Sequence, residues 1–329
     1  MLLSCSMNGW ESGWGLEFLV FMNNFGGRPL DLILEPLHWL GGEYGYTVLL
    51  PLVFWSVDAV LGRRLYILIM GNALINGGLK AWWARPRPYQ AAPTRIIPAH
   101  TESSFGIPSG HSQGGMVLGL FLIRESRRAW LRILYMVLIL TMGLSRMIMG
   151  VHFLQDVLAG WALGALVFLA FIRWEAPFRE RLASMLPGWL VLLSLIPGMA
   201  AVAADALVAA DYPATKNLLA AGGAFSGMLL GMTAERQYGA HSADGPLWKR
   251  ILRFPIGMSL LLGTDRLLSL IFHGLTDDWT AALGVAAVYT IRYLLVGLVG
   301  FWIVPMVFRL MKLSRLAPKS GDGLRESPK

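Results

Sequence analysis

The sequence predicts an all-α protein whose helices cross a membrane many times, and three observations support this prediction. Of the 329 residues, 55% are hydrophobic and only 15% are charged, whereas a soluble domain carries about 25% charged residues. Apolar runs of about 20 residues recur along the chain, which is the length that a helix needs to span a bilayer. Basic residues concentrate in alternate loops, as they do in membrane proteins of fixed orientation. We therefore expect a polytopic transmembrane helical bundle.

Nine apolar runs are long enough to be spans. They lie at about residues 45–62, 65–81, 107–123, 130–149, 152–172, 187–206, 217–233, 251–273 and 282–308. The apolar segment 18–42 is interrupted by Asn, Gly and Pro, so it is expected to form one or two short amphipathic helices in the membrane interface. These runs divide the chain into four parts. They are an interfacial periplasmic segment at 1–44, a membrane core at 45–175, four further spans at 176–310 and a disordered cytoplasmic tail at 311–329.

The basic residues are divided unequally between the two sets of loops. One set, which includes the tail, carries 19 of the 28 Lys and Arg residues, and the other set carries six. The richer set belongs in the cytoplasm, so we expect a plasma (inner) membrane protein with a cytoplasmic C-terminus. A nucleic-acid partner would need a basic stripe on a soluble face, and none is expected. The single cysteine, Cys5, excludes an internal disulfide and a metal site built from cysteines.

Three polar clusters fall on the extracytoplasmic side. The first is the stretch KAWWARPRP, in which Lys80 ends the second predicted span and prolines on both sides of Arg87 oppose helix. Two cationic side chains are therefore expected at the membrane surface. A structural alternative is that they anchor the chain beside the interfacial residues Trp82 and Trp83.

The second cluster is FGIPSGHSQGG, which opens the third predicted span. Proline suits the first turn of a helix, so Pro108 is expected to begin it. The backbone N–H groups of Ser109 and Gly110 would then lie at the positive end of the helix, where anions bind. His111 stands in the same turn. An ordinary helix start with a buried histidine is the alternative.

The third cluster is SRMIMGVHFLQD, at the turn between the fourth and fifth predicted spans. Arg146 ends one span, His152 begins the next, and Asp156 follows four residues later on the same helical face. Such an aspartate can hold one imidazole nitrogen protonated and leave the other as a nucleophile. A polar hairpin that closes two helices is the alternative.

Together the clusters indicate a phosphate site, because three cations and a helix N-terminus converge with two histidines. A zinc site formed by His111, His152 and Asp156 is the rival interpretation. Three nearby cations would repel the metal and no further ligand is evident. We therefore expect no metal and no cofactor.

The three clusters also resemble, in order and spacing, the three-part signature of the type 2 phosphatidic acid phosphatase superfamily. The resemblance covers about residues 20–175, so it implies a phosphatidic-acid-phosphatase-like membrane core at 45–175 that hydrolyses lipid phosphates without metal. It implies that His152 is the nucleophile that becomes a phosphohistidine, that Asp156 stabilises its imidazolium, and that His111 is the acid and then the base. The implied phosphate-binding residues are Lys80, Arg87, Ser109, Gly110 and Arg146.

The expected partner is a membrane lipid phosphate, and the sequence leaves its identity open. Polyprenyl diphosphate, sphingoid-base phosphate and glycerophospholipid phosphate all place a phosphate at headgroup depth. A phosphotransferase using the same site is one alternative. Another is a transporter with a vestigial site, whose polar pathway would include Asp265, Arg266 and Arg292, although an interhelical ion pair explains these residues better. Vanadate-dependent haloperoxidases share the motif but are soluble. The oligomeric state is not predicted.

Overall fold

The structure is a computed structural model that describes residues 11–208, 212–276 and 282–317. Its helices are α1 (Trp14–Gly41), α2 (Glu43–Leu52), α3 (Ala59–Trp83), α4 (Pro88–Ala91), α5 (Gly110–Glu125), α6 (Ala129–Ile148), α7 (Leu154–Ala183), α8 (Pro187–Val208), α9 (Tyr212–Tyr238), α10 (Leu247–Thr276), α11 (Ala282–Leu298) and α12 (Val304–Leu310). Two π-helical turns, Val53–Val57 and Val299–Ile303, follow α2 and α11. Two short strands, β1 (His241–Ser242) and β2 (Arg315–Leu316), pair antiparallel. The protein is all-α, as predicted.

Six helices of the described part are long and apolar enough to cross a membrane, so the predicted count of nine is not confirmed. They are Ala129–Ile148, Leu154–Ala183, Pro187–Leu207, Thr215–Tyr238, Leu247–Phe272 and Gly284–Leu310. The three earliest predicted spans differ from the prediction for local reasons. The first breaks at Asp58, whose carboxylate accepts the amides of Val60 and Leu61 at 2.8 and 2.9 Å and so begins α3. The second lies within α3, which also contains Arg63, and the third, α5, has only 16 residues.

The N-terminal segment forms one helix of 28 residues, α1, where one or two short helices were expected. Tertiary packing explains its length, because two positions of α1 are buried against residues of later elements. Leu19 packs in a cluster with Phe153, and Leu34 packs with Val151. Burial on this scale outweighs the weak helix propensity of the Gly and Pro residues within the segment. Several large side chains of α1, among them Phe21 and Leu32, remain exposed.

The chain forms two compact units. The first comprises residues 1–46, 75–176 and 213–215, and the second comprises 47–74, 177–212 and 216–329. In the first unit α7 lies directly on α5 because two glycines permit the contact. A Cβ at Gly160 would lie 2.7 Å from the carbonyl oxygen of Ser109, and a Cβ at Gly164 would lie 2.6 Å from that of Gln113. This packing places the start of α7 beside the start of α5.

In the second unit the glycines of α9 play a similar role. A Cβ at Gly223 or Gly227 would collide with the carbonyl oxygen of Thr290 or Leu294 on α11. Asp265 of α10 and Arg292 of α11 form an ion pair, with Nη2 and Oδ1 2.7 Å apart, which agrees with the ion-pair interpretation of these residues. At the end of the described chain, β2 is ordered, and residues 318–329 of the predicted disordered tail lie outside the described residues. The four-part division of the chain stays a prediction.

Candidate active site

The first unit brings the eight predicted site residues together from the end of α3, the residue before α4, the start of α5, the end of α6 and the start of α7 with the turn before it. Seven of them are buried, namely Lys80, Arg87, Ser109, His111, Arg146, His152 and Asp156. Gly110 is the eighth and is partly exposed. Burial of so many ionisable groups is expensive unless they are paired. The pairs therefore define the chemistry of the site.

His152 lies between an acid and a guanidinium. Its Nδ1 is 3.2 Å from Oδ2 of Asp156, and its Nε2 is 3.1 Å from Nη1 of Arg87. Because a guanidinium can only donate, Nε2 must present its lone pair and the ring proton must reside on Nδ1. The imidazole is thus held neutral, with a nucleophilic nitrogen on the side of the cation.

The local structure around Asp156 corrects one expectation. His152 does not begin the helix, since α7 starts at Leu154, so Asp156 lies in the first helical turn and His152 in the preceding loop. The Oδ2 atom of Asp156 also accepts the Phe153 amide at 3.0 Å, as an acidic group does at a helix N-terminus. The predicted contact between His152 and Asp156 forms nonetheless.

The start of α5 also differs from the expectation. Pro108 precedes the helix, Ser109 is the N-cap residue, and Gly110 is the first helical residue. The Ser109 amide donates to the backbone oxygen of Asp156 at 3.0 Å, and the Ser109 hydroxyl accepts from the Ser112 hydroxyl at 2.9 Å. The Ser109 amide is therefore used to join α5 to α7. Of the two amides predicted to bind an anion, those of Ser109 and Gly110, the one that remains for this role is the Gly110 amide at the positive end of α5.

Lys80 holds the loop that enters α5. Its Nζ donates to the carbonyl oxygens of Phe105 and Gly106, the latter at 3.2 Å. One turn earlier on α3, Asn76 donates to Gln113 Oε1 at 2.8 Å. These contacts fix the beginning of α5 relative to α3, and the sequence did not reveal the role of Asn76.

A histidine of α1, which no sequence pattern indicated, joins the site. Nη1 of Arg146 donates to Nδ1 of His38 at 3.0 Å, and Nε2 of His111 is 3.1 Å from the backbone oxygen of His38. A carbonyl oxygen only accepts, so His111 carries a proton on Nε2. Burial, together with the nearby His100 and Arg146, lowers the pKa of His38, which agrees with its role as an acceptor. No motif in the sequence connects α1 to the site.

The loop between α4 and α5 contributes Glu102, which was not among the residues predicted from the sequence. Oε2 of Glu102 accepts from Nη2 of Arg87 at 2.6 Å, and Oε1 lies 3.5 Å from Nε2 of His100. Burial alone would raise the pKa of Glu102, but His100 and the charge of Arg87 hold that pKa well below its usual range. Glu102 is therefore a carboxylate. The available signal was an acidic residue between the first and second polar clusters, nine residues before His111.

The described residues contain one group with metal-ligand geometry, and it differs from the zinc site weighed from the sequence. The ligand atoms of His38, Glu102 and His111 lie within 4.8 Å of one another. Two of these groups already bind cations, because His38 accepts from Arg146 and Glu102 pairs with Arg87. A divalent ion there would face two guanidinium groups, so the donor set fits a metal poorly.

Comparison with known proteins identifies the family. The PAP2 superfamily model matches residues 62–180, and a second model, described as PAP2 superfamily phosphatase, transmembrane extension, matches residues 219–316. The chain belongs to the PAP2 superfamily. The resemblance seen in the three clusters is thereby confirmed, and the extension model accounts for a region that the clusters did not cover. This is a multi-span membrane protein of that superfamily.

The curated relatives are lipid phosphatases. Phosphatidylglycerophosphatase B of Bacillus subtilis is 37% identical over 114 residues, which are 32% of this chain and 53% of that protein. Sphingosine-1-phosphate phosphatase 1 of Rattus norvegicus is 29% identical over 141 residues, 40% of this chain and 32% of that protein. The matched regions thus span about half or less of these relatives. A solved structure, the transmembrane PAP2 type phosphatidylglycerolphosphate phosphatase from Bacillus subtilis, is 25% identical with a TM-score of 0.44, covering 52% of this chain and 89% of that one.

Proposed function

We propose that this PAP2-superfamily protein hydrolyses the phosphomonoester or diphosphate of a membrane lipid through a phosphohistidine on His152, without a metal. The observation that carries the proposal is the position of His152, with Nδ1 at 3.2 Å from Asp156 and Nε2 at 3.1 Å from Arg87. This arrangement gives a neutral imidazole whose Nε2 lone pair faces the guanidinium to which we assign phosphate binding. The names of the curated relatives support the same class of reaction.

In the first step, Nε2 of His152 attacks phosphorus. The P–N bond forms while the bond from phosphorus to the lipid oxygen breaks. This oxygen takes a proton from His111, which enters the step as an imidazolium protonated on both ring nitrogens and leaves it as a neutral imidazole. The Asp156 carboxylate stabilises the imidazolium that develops on His152. The guanidinium groups of Arg87 and Arg146 neutralise the charge on the phosphoryl oxygens, which is the main requirement of phosphoryl transfer.

In the second step, water attacks the phosphorus of the phosphohistidine. His111, now lacking its proton, accepts a proton from this water. The P–N bond breaks, its electron pair returns to Nε2 of His152, and inorganic phosphate leaves. The order of proton transfers requires that His111 act first as an acid and then as a base.

The substrate class follows from where the site lies in the chain. Some of the site residues lie at the ends of helices that come before the candidate spans Ala129–Ile148 and Leu154–Ala183. The others lie at the turn that joins these two spans. A phosphate at headgroup depth would reach them while its lipid chains stay in the membrane. Sphingoid-base phosphate, glycerophospholipid phosphate and polyprenyl diphosphate meet this condition. The distribution of basic residues supports an active site on the extracytoplasmic face of the inner membrane and a cytoplasmic C-terminus.

The test is release of inorganic phosphate by the purified full chain from a panel of these lipids, each supplied alone. We expect release from at least one lipid and its loss in His152→Ala. Asp265→Asn is the matched control, because it removes a charge from an ion pair in the second unit, and it should keep the activity. Phosphate release that survives in His152→Ala contradicts the mechanism. Transfer of the phosphoryl group to an added alcohol without phosphate release would favour a phosphotransferase.

A further inference from the structure

The guanidinium of Arg87 has all five of its N–H groups engaged by the protein. Nε donates to the Ser104 carbonyl at 2.7 Å, and Nη1 contacts the Val151 carbonyl and His152 Nε2, both at 3.1 Å. Nη2 donates to Oε2 of Glu102 at 2.6 Å and to the Ser104 hydroxyl at 2.9 Å. Five donors are all that an arginine has. A phosphate can therefore bind Arg87 only by replacing one of these acceptors.

Glu102 is the acceptor that a phosphate can best replace. Its contact with Arg87 is the shortest of the five and the only one that involves an anion. A carboxylate and a phosphate present similar oxygen geometry to a guanidinium. Two anions sharing one cation would repel each other. A phosphate on Nη2 therefore competes with the Glu102–Arg87 ion pair, whereas the contact of Nη1 with His152 Nε2 is released by the attack on phosphorus itself.

The structure also allows the carboxylate to leave without disturbing the fold. The backbone of Glu102 is held by the hydroxyl of Tyr89, which donates to the Glu102 carbonyl and accepts the Glu102 amide, both at 3.0 Å. The Glu102 side chain retains 22% of its exposure, whereas that of Arg87 retains none. The exposed part of the Glu102 side chain gives its carboxylate a route toward water, while the contacts of the Glu102 backbone with Tyr89 can stay in place.

We propose that Glu102 is a displaceable internal anion, whose carboxylate occupies the phosphate position on Arg87 in the free enzyme and competes there with the substrate phosphate. The proposal rests on the proposed function, because it assigns that position to the lipid phosphate. Glu102 neutralises the positive charge of the buried Arg87 when no substrate is bound, and this ion pair lowers the affinity of the site for any phosphate. The residue therefore sets the substrate concentration at which the enzyme works.

The test compares the wild-type chain with Glu102→Gln in inhibition by orthovanadate and by inorganic phosphate. The amide keeps the shape of the side chain and removes its charge, so the competing bond is weakened. We expect both inhibition constants to fall roughly tenfold, in the range expected when a charge-assisted bond becomes neutral. KM for the lipid should fall in parallel, and kcat should change less than about threefold because no bond to the reacting atoms is lost.

Glu17→Gln is the matched control. Glu17 forms a two-oxygen ion pair with Arg95, both contacts at 2.8 Å, on an exposed part of the same unit. This variant should leave the inhibition constants unchanged. If Glu102→Gln does not fold by thermal unfolding, Glu102→Asp replaces it, because the shorter side chain draws the charge away from Arg87. The Asp variant should shift the inhibition constants in the same direction by a smaller factor.

Two results overturn the proposal. Unchanged or raised inhibition constants in the Glu102 variants show that the carboxylate does not compete with phosphate. A large loss of kcat at constant KM shows that Glu102 acts on the reacting atoms instead. In both cases wild-type phosphate release stands, so the proposed function survives. A wild-type chain that neither releases phosphate nor binds vanadate refutes both proposals together.

Discussion

Replacement of Asp156 by Asn tests the assignment of the orienting acid, and the structure sets the expected size of the effect. One oxygen, Oδ2, accepts both from Nδ1 of His152 and from the Phe153 amide. An asparagine must turn its carbonyl oxygen toward the Phe153 N–H, because its amide group is a donor and would face another donor there. The same oxygen then still accepts from His152. The correct tautomer is preserved, and only the negative charge is lost.

The magnitude follows from this geometry. Unit charges about 3 Å apart attract by about 5 kcal/mol at an effective dielectric constant of about 20, which is an upper bound for the lost stabilisation of the imidazolium. Hydrogen bonds to charged groups stabilise by about 1 kcal/mol more than hydrogen bonds between neutral groups, which is a lower bound for the lost stabilisation. An intermediate value of about 3 kcal/mol corresponds to a loss in kcat of about a hundredfold.

The assay is single-turnover phosphate release at saturating lipid, with Asp156→Ala measured beside Asp156→Asn. Alanine removes both hydrogen bonds and leaves the Phe153 amide unsatisfied, so we expect a larger kinetic loss and a lower unfolding temperature. A loss of about ten thousandfold in the Asn variant would indicate the wrong tautomer of His152 and refute the reasoning from the shared oxygen. Near-normal turnover would remove Asp156 from the mechanism.

Three further predictions test the metal-free site, the helix contact behind it, and the membrane orientation. Activity should be retained in EDTA and inhibited by vanadate, and a loss in EDTA that zinc or magnesium restores would contradict the metal-free mechanism. Gly160→Ala should destabilise the protein by about 1–3 kcal/mol in thermal unfolding and lower activity, because the added methyl group overpacks the contact between α5 and α7. Gly78→Ala, whose Cβ would meet nothing within 4 Å, is the control and should be neutral or stabilising, and equal effects would refute the contact. In a Cys5→Ser background, Thr101→Cys should react with an impermeant thiol reagent on intact cells while Arg127→Cys should not, and the reverse pattern would place the site in the cytoplasm.

The sequence by itself determined the fold class and predicted eight of the residues that the structure brings together. Composition and apolar runs suffice for an all-α membrane protein, because lipid leaves the backbone few alternatives to helix. The spacing of His152 and Asp156 was enough to predict their contact, because residues four apart in sequence lie on the same side of a helix or of the turn that enters it.

The count of spans and the completion of the site were decided by the tertiary structure. Apolar content made 45–62 look like a span, but Asp58 begins a new helix within it. His38 is 73 residues from His111 in the chain, and its approach depends on α1 packing through Leu19 and Leu34. Glu102 reaches Arg87 through a loop without regular structure. Contacts of this kind join residues that no sequence periodicity relates. Only the tertiary structure therefore shows that a carboxylate binds the guanidinium of Arg87, which the sequence predicted as a phosphate-binding group.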